Sequence, residues 1–328
     1  MYKVNILASD QGLFSTVFGP FEMLIQAGVF WNALVGKPAN PYFDVNITSV
    51  DGIEINGLNG SKIQPHRKIN NSDQYDLIIV PSEGININPE STAFSQRVDY
   101  LKNMHNKGAV IASICTGAFL LASTGLLKNK VATTHWALEY EFKRLFPEVD
   151  LNTNLLIADN DKVITAGGVS ADQDLSMHLI SRYCGQEVAL QTARCTLTNV
   201  STREQSPFKS FIINKNHGDQ QIVACQTYIE KHLNDNFSVS ELSEKFSMVT
   251  RTLNRRFKQA TGYTVVNYIQ QLKVEKAKQI LEREKVSFDE IAHRLGYENV
   301  SYCRRLFKQY VGLSPKEYRQ AFYRNSQL

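Results

Sequence analysis

The sequence lacks the features that mark membrane proteins, disulfide-rich proteins and exported proteins. Its longest apolar stretch, residues 110–127, is interrupted by serine, threonine and glycine, which makes it a poor membrane span. Its five cysteines form no C-x-x-C pair and no Cys/His spacing of a metal site, so a reducing compartment is favoured. No apolar segment follows a basic start, as it would in a signal peptide. We therefore expect a soluble cytoplasmic protein with no membrane partner, no metal and no cofactor.

The chain also has little net charge, +4 over 328 residues, but that charge is unevenly distributed. Residues 1–220 carry 18 Lys and Arg against 21 Asp and Glu, whereas residues 221–328 carry 18 against 11. A basic module that can bind a polyanion thus follows a mildly acidic body. Together with a polar stretch near residues 199–220, this predicts a first domain at 1–198, a linker at 199–220 and a second domain at 221–328.

The first two hundred residues alternate between strand-like and helix-like patterns, which is typical of a layered α/β domain. One run, residues 77–80, is apolar on both faces, as expected for a buried parallel strand. The predicted strands are residues 3–8, 43–49, 77–81, 110–114, 130–134 and 163–166. The predicted helices are residues 19–27, 96–107, 117–124, 137–145 and 171–184, with a further one from 186.

The second part contains a repeat with an offset of fifty residues. Residues 253–262 and 303–312 share five identities in ten positions, among them Arg255/Arg305 and Lys258/Lys308, and both copies end at a glycine. A capping box is predicted upstream of each copy, at residues 238–241 and 287–290, and a third at 314–317. Each copy is then a short helix, a turn and a longer basic helix, which predicts helix-turn-helix units at about 238–262 and 287–312. A helix bundle with solvated basic faces is the alternative.

Residues 221–328 resemble the DNA-binding domain of AraC/XylS-type transcription regulators. The motifs that carry the resemblance are residues 238–242, 251–257, 291–297 and 307–319. The resemblance implies two helix-turn-helix units, joined by a long helix, in successive major grooves of double-stranded promoter DNA. RNA polymerase is an implied partner if the protein activates transcription.

The longer helix of each unit is expected to read DNA. Arginine can bind guanine, and asparagine can bind adenine, through two hydrogen bonds, whereas lysine suits phosphate. Arg256 is assigned a phosphate contact or a surface salt bridge, and Phe257 and Phe307 are assigned to the core. The predicted DNA-binding residues are Thr250, Arg251, Asn254, Arg255, Lys258, Asn299, Ser301, Tyr302, Arg304, Arg305 and Lys308, with Val300 also exposed.

In the first domain, residues 110–119 form a buried strand that runs into a helix, with Cys115 at the turn. This is the outline of a nucleophile elbow, in which the helix dipole is expected to lower the pKa of the thiol. A second strand, ending at His135, is expected to lie alongside.

These motifs resemble the PfpI/ThiJ-like branch of the class I glutamine-amidotransferase fold, a flavodoxin-like parallel-sheet sandwich. With the AraC-type tail, the chain resembles the GlxA-like group of bacterial regulators, which implies a homodimer that senses a small nitrogen-containing metabolite. Thr16 stands where catalytic relatives have a supporting acid, and Ser82 and Glu83 replace a Gly-Gly pair, so no catalytic residue is assigned. The predicted ligand pocket comprises Thr16, Ser82, Glu83, Cys115, Thr116 and His135.

Two alternatives keep a chemical role for Cys115. One is a thiol-dependent hydrolase, hydratase or glyoxalase-like enzyme fused to a DNA-binding tail. The other is a redox sensor that responds to oxidation of Cys115.

Overall fold

The computed structural model describes residues 1–58, 60–84, 87–198, 204–235 and 237–323. The chain divides into two compact units, Met1–Gln205 and Ser206–Leu328. This division falls inside the predicted linker, and the predicted domain limits themselves stay a prediction. No helix within the described ranges is long and apolar enough to cross a membrane.

The first unit is built on a seven-stranded sheet. The strands among the described residues of this unit are β1 (Tyr2–Leu7), β2 (Phe43–Ser49), β3 (Ile55–Asn56), β4 (Lys62–Ile63), β5 (Arg67–Lys68), β6 (Leu77–Val80), β7 (Val110–Ile114), β8 (Val131–Ala132), β9 (Asp150–Leu151), β10 (Ile157–Asp159) and β11 (Val163–Ala166). The main sheet has the order β10-β11-β7-β6-β1-β2-β5, in which only β10 is antiparallel to its neighbour. The pairs β3–β4 and β8–β9 lie outside it.

Helices cover both faces of this sheet, because its central strands β6 and β7 are buried along their whole length. One face packs on α1 (Ser15–Gln26), α6 (Ala171–Cys184) and α7 (Gln186–Thr196). The other packs on α3 (Thr92–Asn106), α4 (Gly117–Ser123) and α5 (Glu139–Leu145). A short α2 (Phe30–Leu34) contacts α7. The predicted parallel-sheet sandwich is therefore confirmed.

The predicted strand at 130–134 is wrong in its extent and position. Only Val131–Ala132 is a strand, and it pairs with β9 rather than with the main sheet. The next two residues, Thr133 and Thr134, do not continue the strand and instead form hydrogen bonds with Thr165 and with the Cys115 carbonyl. The Thr133 N–H donates to the Thr165 hydroxyl over 2.8 Å, and the Thr134 hydroxyl donates to the Cys115 carbonyl over 2.8 Å.

The secondary structure described in the second unit is all helical. Its helices are α8 (Gln220–Lys231), α9 (Val239–Lys245), α10 (Thr250–Thr261), α11 (Val265–Arg283), α12 (Phe288–Arg294), α13 (Val300–Val311) and α14 (Pro315–Phe322). The pairs α9–α10 and α12–α13 are the two helix-turn-helix units, and each has its own apolar core. Phe257 and Phe307 are buried in these cores, as predicted. Both longer helices end at a glycine with positive φ, +82° at Gly262 and +81° at Gly312.

Two of the three predicted capping boxes form completely, at Ser238 with Glu241 and at Ser314 with Glu317. At the third, the Ser287 hydroxyl accepts a hydrogen bond from the Glu290 N–H, but the return bond is replaced. The Glu290 carboxylate instead pairs with Arg294, one turn further along the helix, at 2.5 Å. A charged partner at this spacing competes with the backbone N–H for the same carboxylate.

Residues 206–219 of the predicted linker are held against the second unit. Lys215 pairs with Glu230 on α8 at 2.8 Å, and His217 Nε2 lies 3.0 Å from Gln226 Oε1. The residues 199–203, which belong to the same predicted linker, lie outside the described residues.

Candidate functional site

The reading helices α10 and α13 expose matching rows of polar side chains. Spacings of four and three residues place these side chains on one helix face, opposite the buried phenylalanines. All of them are exposed, and none has a hydrogen bond or ion pair to another residue that the structure describes. The rows are Arg251, Arg255 and Lys258 on α10 and Ser301, Arg305 and Lys308 on α13.

The remaining predicted DNA-binding residues have partners within the second unit. The Asn254 side-chain amide donates to the Thr250 carbonyl over 3.2 Å, and the Thr250 hydroxyl lies 2.9 Å from that of Ser243. Asn299 is the N-cap of α13, because its Oδ1 accepts a hydrogen bond from the Tyr302 N–H over 2.9 Å. These side chains fix the start of each reading helix.

Tyr302 and Arg304 lie on the flanks of α13 rather than on its outward face. The Tyr302 hydroxyl accepts a hydrogen bond from Gln270 on α11 over 3.0 Å. Arg304 forms an ion pair with Asp289 on α12, and its guanidinium lies 5.9 Å from the centre of the Phe288 ring. Both residues thereby connect the reading helix to its neighbours.

In the first unit, Cys115 stands at a sharp turn between β7 and α4. Its φ is +55°, a left-handed conformation that few residues other than glycine adopt, and its side chain is 4% exposed. The elbow predicted from the sequence is present, but the expectation for its pKa is wrong. Burial raises the pKa of the Cys115 thiol, and hydrogen bonds from Thr116 and Ser82 offset only part of that effect.

The polar groups beside Cys115 satisfy one another. Thr16 Oγ1 accepts the N–H of Ser82 over 2.9 Å and donates to the Leu13 carbonyl over 2.6 Å. Thr116 Oγ1 lies 2.9 Å from the Ser82 hydroxyl and accepts the N–H of Glu83 over 2.9 Å. The backbone N–H groups of Ser82 and Glu83 are therefore bonded to threonine hydroxyls rather than directed at a developing oxyanion.

His135 does not activate Cys115 in this arrangement. It is half-buried, its Nδ1 accepts the Ala137 N–H over 3.2 Å, and burial lowers the pKa of its imidazole. Across the described part of the chain, no hydrogen bond joins His135 to Cys115. Among the described residues, the thiol therefore has no hydrogen-bonded histidine that could act as its base.

A cavity of about 550 Å³ lies beside the elbow, where β1, β2 and β6 end. Carboxyl ends of neighbouring parallel strands are the usual position for a ligand in such sheets. Of the predicted pocket residues only Glu83 lines it. The lining also contains the carboxylates of Asp10, Asp51 and Glu54, here called the acidic wall, which follow β1 and β2 in the chain, and it contains Arg97 and the start of α3.

Arg97 was missed by the sequence analysis because its pairing with Glu83 depends on how α3 returns to the sheet. Its Nη1 lies 2.6 Å from both carboxylate oxygens of Glu83, and both side chains are almost fully buried. The acidic wall had a signal in the sequence, since Asp10 and Asp51 closely follow the predicted strands at 3–8 and 43–49.

Comparisons with known proteins agree with this architecture. Residues 24–182 match the family model of the DJ-1/PfpI family, and residues 242–321 match that of a helix-turn-helix domain. The chain is 26% identical over 276 residues to the HTH-type transcriptional regulator GbdR of Pseudomonas aeruginosa, covering 83% of this chain and 73% of GbdR. It is 24% identical over 273 residues to the HTH-type transcriptional regulator CdhR of the same species, covering 83% of this chain and 80% of CdhR.

A solved structure shows the same fold for the first unit. The crystal structure of an AraC family transcriptional regulator from Pseudomonas putida superimposes with a TM-score of 0.51 at 15% identity, covering 60% of this chain and all of that one. The two family matches, the paired helix-turn-helix units and the related regulators lead to one conclusion. This chain belongs to the AraC-type transcription regulators that carry a DJ-1/PfpI-type amino-terminal domain, and it is a DNA-binding transcription regulator.

Proposed function

We propose that the first unit of this cytoplasmic regulator senses a small zwitterionic metabolite that carries an amine. The observation that carries this proposal is the division of charge within the cavity beside the elbow. Asp10, Asp51 and Glu54 suit an ammonium or quaternary amine. The amino end of α3, whose helix dipole is positive, suits a carboxylate, whereas Arg97 is already paired with Glu83.

Two of these carboxylates, Asp10 and Asp51, keep free acceptor capacity, whereas Glu54 is ion-paired with Lys62 at 2.7 Å. Asp10 uses Oδ1 to accept the Asn56 N–H over 2.8 Å, and Asp51 uses Oδ1 for the Ile53 N–H over 2.9 Å. A carboxylate has two oxygens, so each can still accept from a ligand amine. Glu83 lines the cavity, and its N–H donates to the hydroxyl of Thr116, the residue after Cys115, which would let an occupied cavity affect the rest of the site.

The test is a thermal-shift screen of the full chain with the twenty amino acids and their N-trimethyl derivatives at millimolar concentration. At least one compound should raise the melting temperature of the first unit, because a ligand that binds only the folded state stabilises it. Asp10→Asn keeps the Oδ1 acceptor but removes the charge, and it should abolish the shift. Asp99→Asn removes an exposed charge outside the cavity and should leave the shift intact. A screen in which no compound binds would refute the proposal.

For the second unit we propose that the outward rows contact DNA directly. Arg251, Arg255, Ser301 and Arg305 would reach base edges, whereas Lys258 and Lys308 would contact phosphate. Thr250, Asn254, Asn299, Tyr302 and Arg304 would support the helices, with any DNA contact secondary to their internal bonds. Mapping of binding sites across the genome would give the operator and its neighbouring genes. If the protein activates those genes, RNA polymerase is a further partner.

We also propose that two copies associate through the first unit. Large apolar side chains are exposed on α1, α2 and α7, with Leu34 63% exposed and Phe30 44% exposed. Exposed apolar surface of this kind is typical of an interaction site. Phe18, Ile25 and Leu190 are also exposed on these helices. Light scattering should show a dimer that Leu34→Asp converts to monomer, and a monomeric parent chain would contradict the proposal.

The Cys115 site is proposed to be structural rather than catalytic or redox-active. Thr16 in place of an acid and the self-satisfied hydrogen bonds around the elbow support this assignment. Cys115→Ala should leave the transcriptional response to the effector unchanged. Amide or dicarbonyl turnover that disappears in Cys115→Ala would favour the enzyme alternative. Peroxide-dependent DNA binding that disappears in Cys115→Ser would favour the redox alternative.

A further inference from the structure

The side chain of Gln205, the last residue of the first unit, is inserted into that unit. It is 3% exposed, and its carboxamide uses both its oxygen and its amide protons. Oε1 accepts the Trp136 N–H over 3.2 Å, and Nε2 lies 3.0 Å from Thr133 Oγ1 and 2.9 Å from the Leu155 carbonyl. The Gln205 N–H donates to the Asn154 carbonyl over 2.9 Å. Such a fully satisfied buried amide is costly to remove from its site.

This carboxamide is directly connected to the Cys115 elbow. Its Nε2 donates to the Thr134 carbonyl over 3.0 Å, and the hydroxyl of the same threonine donates to the Cys115 carbonyl over 2.8 Å. It also packs closely on Gly167, where a Cβ would lie 2.4 Å from Nε2. The position of Gln205 therefore depends on the loop after β8 and on the end of β11.

The residues that follow Gln205 are fixed on the DNA-binding unit. Ser206–Phe208 forms a short 3-10 turn that lies against the reading helix α13. The Lys209 carbonyl accepts a hydrogen bond from the buried ammonium of Lys278 on α11 over 2.5 Å. The Phe211 N–H donates to Glu275 on α11 over 3.2 Å. Four residues span at most about 14 Å, so the chain has little slack between the two attachments.

We propose that Gln205 is a positioning residue that transmits changes in the first unit to the DNA-binding unit. A shift of the loop at 133–136 would either break the hydrogen bonds of the carboxamide or pull on the segment 206–209. That segment is attached to α11, the helix that connects the two helix-turn-helix units, and to the reading helix α13. The pull therefore reaches both helices. The identity of the compound that moves the loop rests on the proposed sensing function. The attachment of Gln205 to the loop at 133–136 does not rest on it.

The first experiment needs no effector. In Gly167→Ala the added methyl group displaces the Gln205 carboxamide, whereas in Gly168→Ala the nearest atom to the added methyl is His135 Cδ2 at 3.7 Å. Amide hydrogen exchange of the full chain should rise about tenfold over residues 206–211 in Gly167→Ala and in Gln205→Ala. In the control variant Gly168→Ala, amide exchange over residues 206–211 should equal that of the parent chain. Unchanged exchange in both of the first two variants overturns the proposal.

The second experiment measures coupling. The probe is an equimolar mixture of the amino acids and their N-trimethyl derivatives, and the readout is the affinity for the mapped operator. In the parent chain the mixture should change the affinity by at least about fivefold. Gln205→Ala and the size-matched Gln205→Met should reduce that ratio to about one, while the operator affinity without the mixture and the thermal shift stay as in the parent.

The two proposals fail in different ways. If Gln205→Ala retains the full ratio, the role of Gln205 is refuted although sensing stands. If the mixture changes neither the melting temperature nor the operator affinity of the parent, sensing is refuted, and the exchange experiment still decides the role of Gln205.

Discussion

Arg255 and Arg256 are adjacent in the sequence but lie in different environments. Arg256 forms two hydrogen bonds to the Asp219 carboxylate, 3.0 Å from Nε and 2.7 Å from Nη2, and so ties α10 to the start of α8. Arg255 is exposed and makes no ion pair with any residue in the described ranges. One turn of a helix thus holds a structural arginine and one that is available to DNA.

Arg255→Ala should lose sequence-specific DNA binding, and Arg305→Ala should do the same in the second unit. Loss of a two-hydrogen-bond arginine–guanine contact costs about 1–3 kcal/mol of discrimination, which is about 5- to 150-fold in affinity. Fluorescence anisotropy with the mapped operator and a scrambled duplex measures the effect. Lys308→Ala should weaken binding to both duplexes equally and lower the salt dependence. Parental affinity in both arginine variants would show that the reading rows are assigned wrongly.

Arg256→Ala should act on stability rather than on base preference. Removing the guanidinium leaves the Asp219 carboxylate without its partner at the start of α8, where it also caps the Ile222 N–H. The melting temperature of the second unit should fall, while the ratio of specific to non-specific affinity stays as in the parent. Calorimetry and anisotropy on the same sample separate the two effects. A changed base preference with unchanged melting would contradict this assignment.

Arg97→Met should strongly destabilise the first unit. The variant leaves the Glu83 carboxylate buried without its cation, a change that typically costs about 3–5 kcal/mol. The double variant Glu83→Gln with Arg97→Met should recover most of the loss, because no uncompensated charge remains. Urea denaturation of the three proteins measures both values. Equal losses in the single and the double variant would show that packing, not charge, sets the cost.

Asp172 gives the first unit a pH dependence. Its side chain is 6% exposed against Gly19, and burial raises the pKa of its carboxyl to about 6 from an ordinary 3.8. The folded state therefore holds this proton more tightly than the unfolded state does. As a result, the free energy of unfolding falls as the pH rises from about 4 to about 6.

Asp172→Asn should accordingly stabilise the unit by about 2 kcal/mol at neutral pH, and by progressively less as the pH falls toward 4. Denaturation at several pH values follows the difference. Asp150→Asn removes an exposed carboxylate and should show no such trend. A gain that does not depend on pH would assign the effect to packing against Gly19.

Cys115 should react slowly with iodoacetamide. The thiolate is the reactive form, and burial both raises the pKa of this thiol and restricts access to it. We expect alkylation at neutral pH to be at least about tenfold slower than in the urea-unfolded chain, as read by peptide mass spectrometry. Alkylation at the unfolded rate would restore the enzyme and redox alternatives.

The order of the elements could be predicted because it depends on local patterns. The apolar strand at 77–80, the repeat with an offset of fifty and the glycines at 262 and 312 each depend on residues close in the sequence. The strand at 130–134 failed because Thr133 and Thr134 bond to distant partners, Thr165 and the Cys115 carbonyl, instead of continuing a ladder. The pairing of Arg97 with Glu83 could not be predicted, because the two side chains meet only after α3 has packed on the sheet.

The sequence by itself determined that a layered α/β domain precedes two helix-turn-helix units, since periodicity, caps and the duplicated basic helix are local properties of the chain. Only the tertiary structure decided which polar side chains remain available. In the folded protein Arg256 and Arg304 form ion pairs, and Asn299 caps α13. Burial raises the pKa of the Cys115 thiol, and the Gln205 side chain is hydrogen-bonded to the loop after β8. The physical reason is that these features depend on how the chain packs. Packing decides which residues distant in the sequence come into contact and which face of a helix is exposed, and composition decides neither.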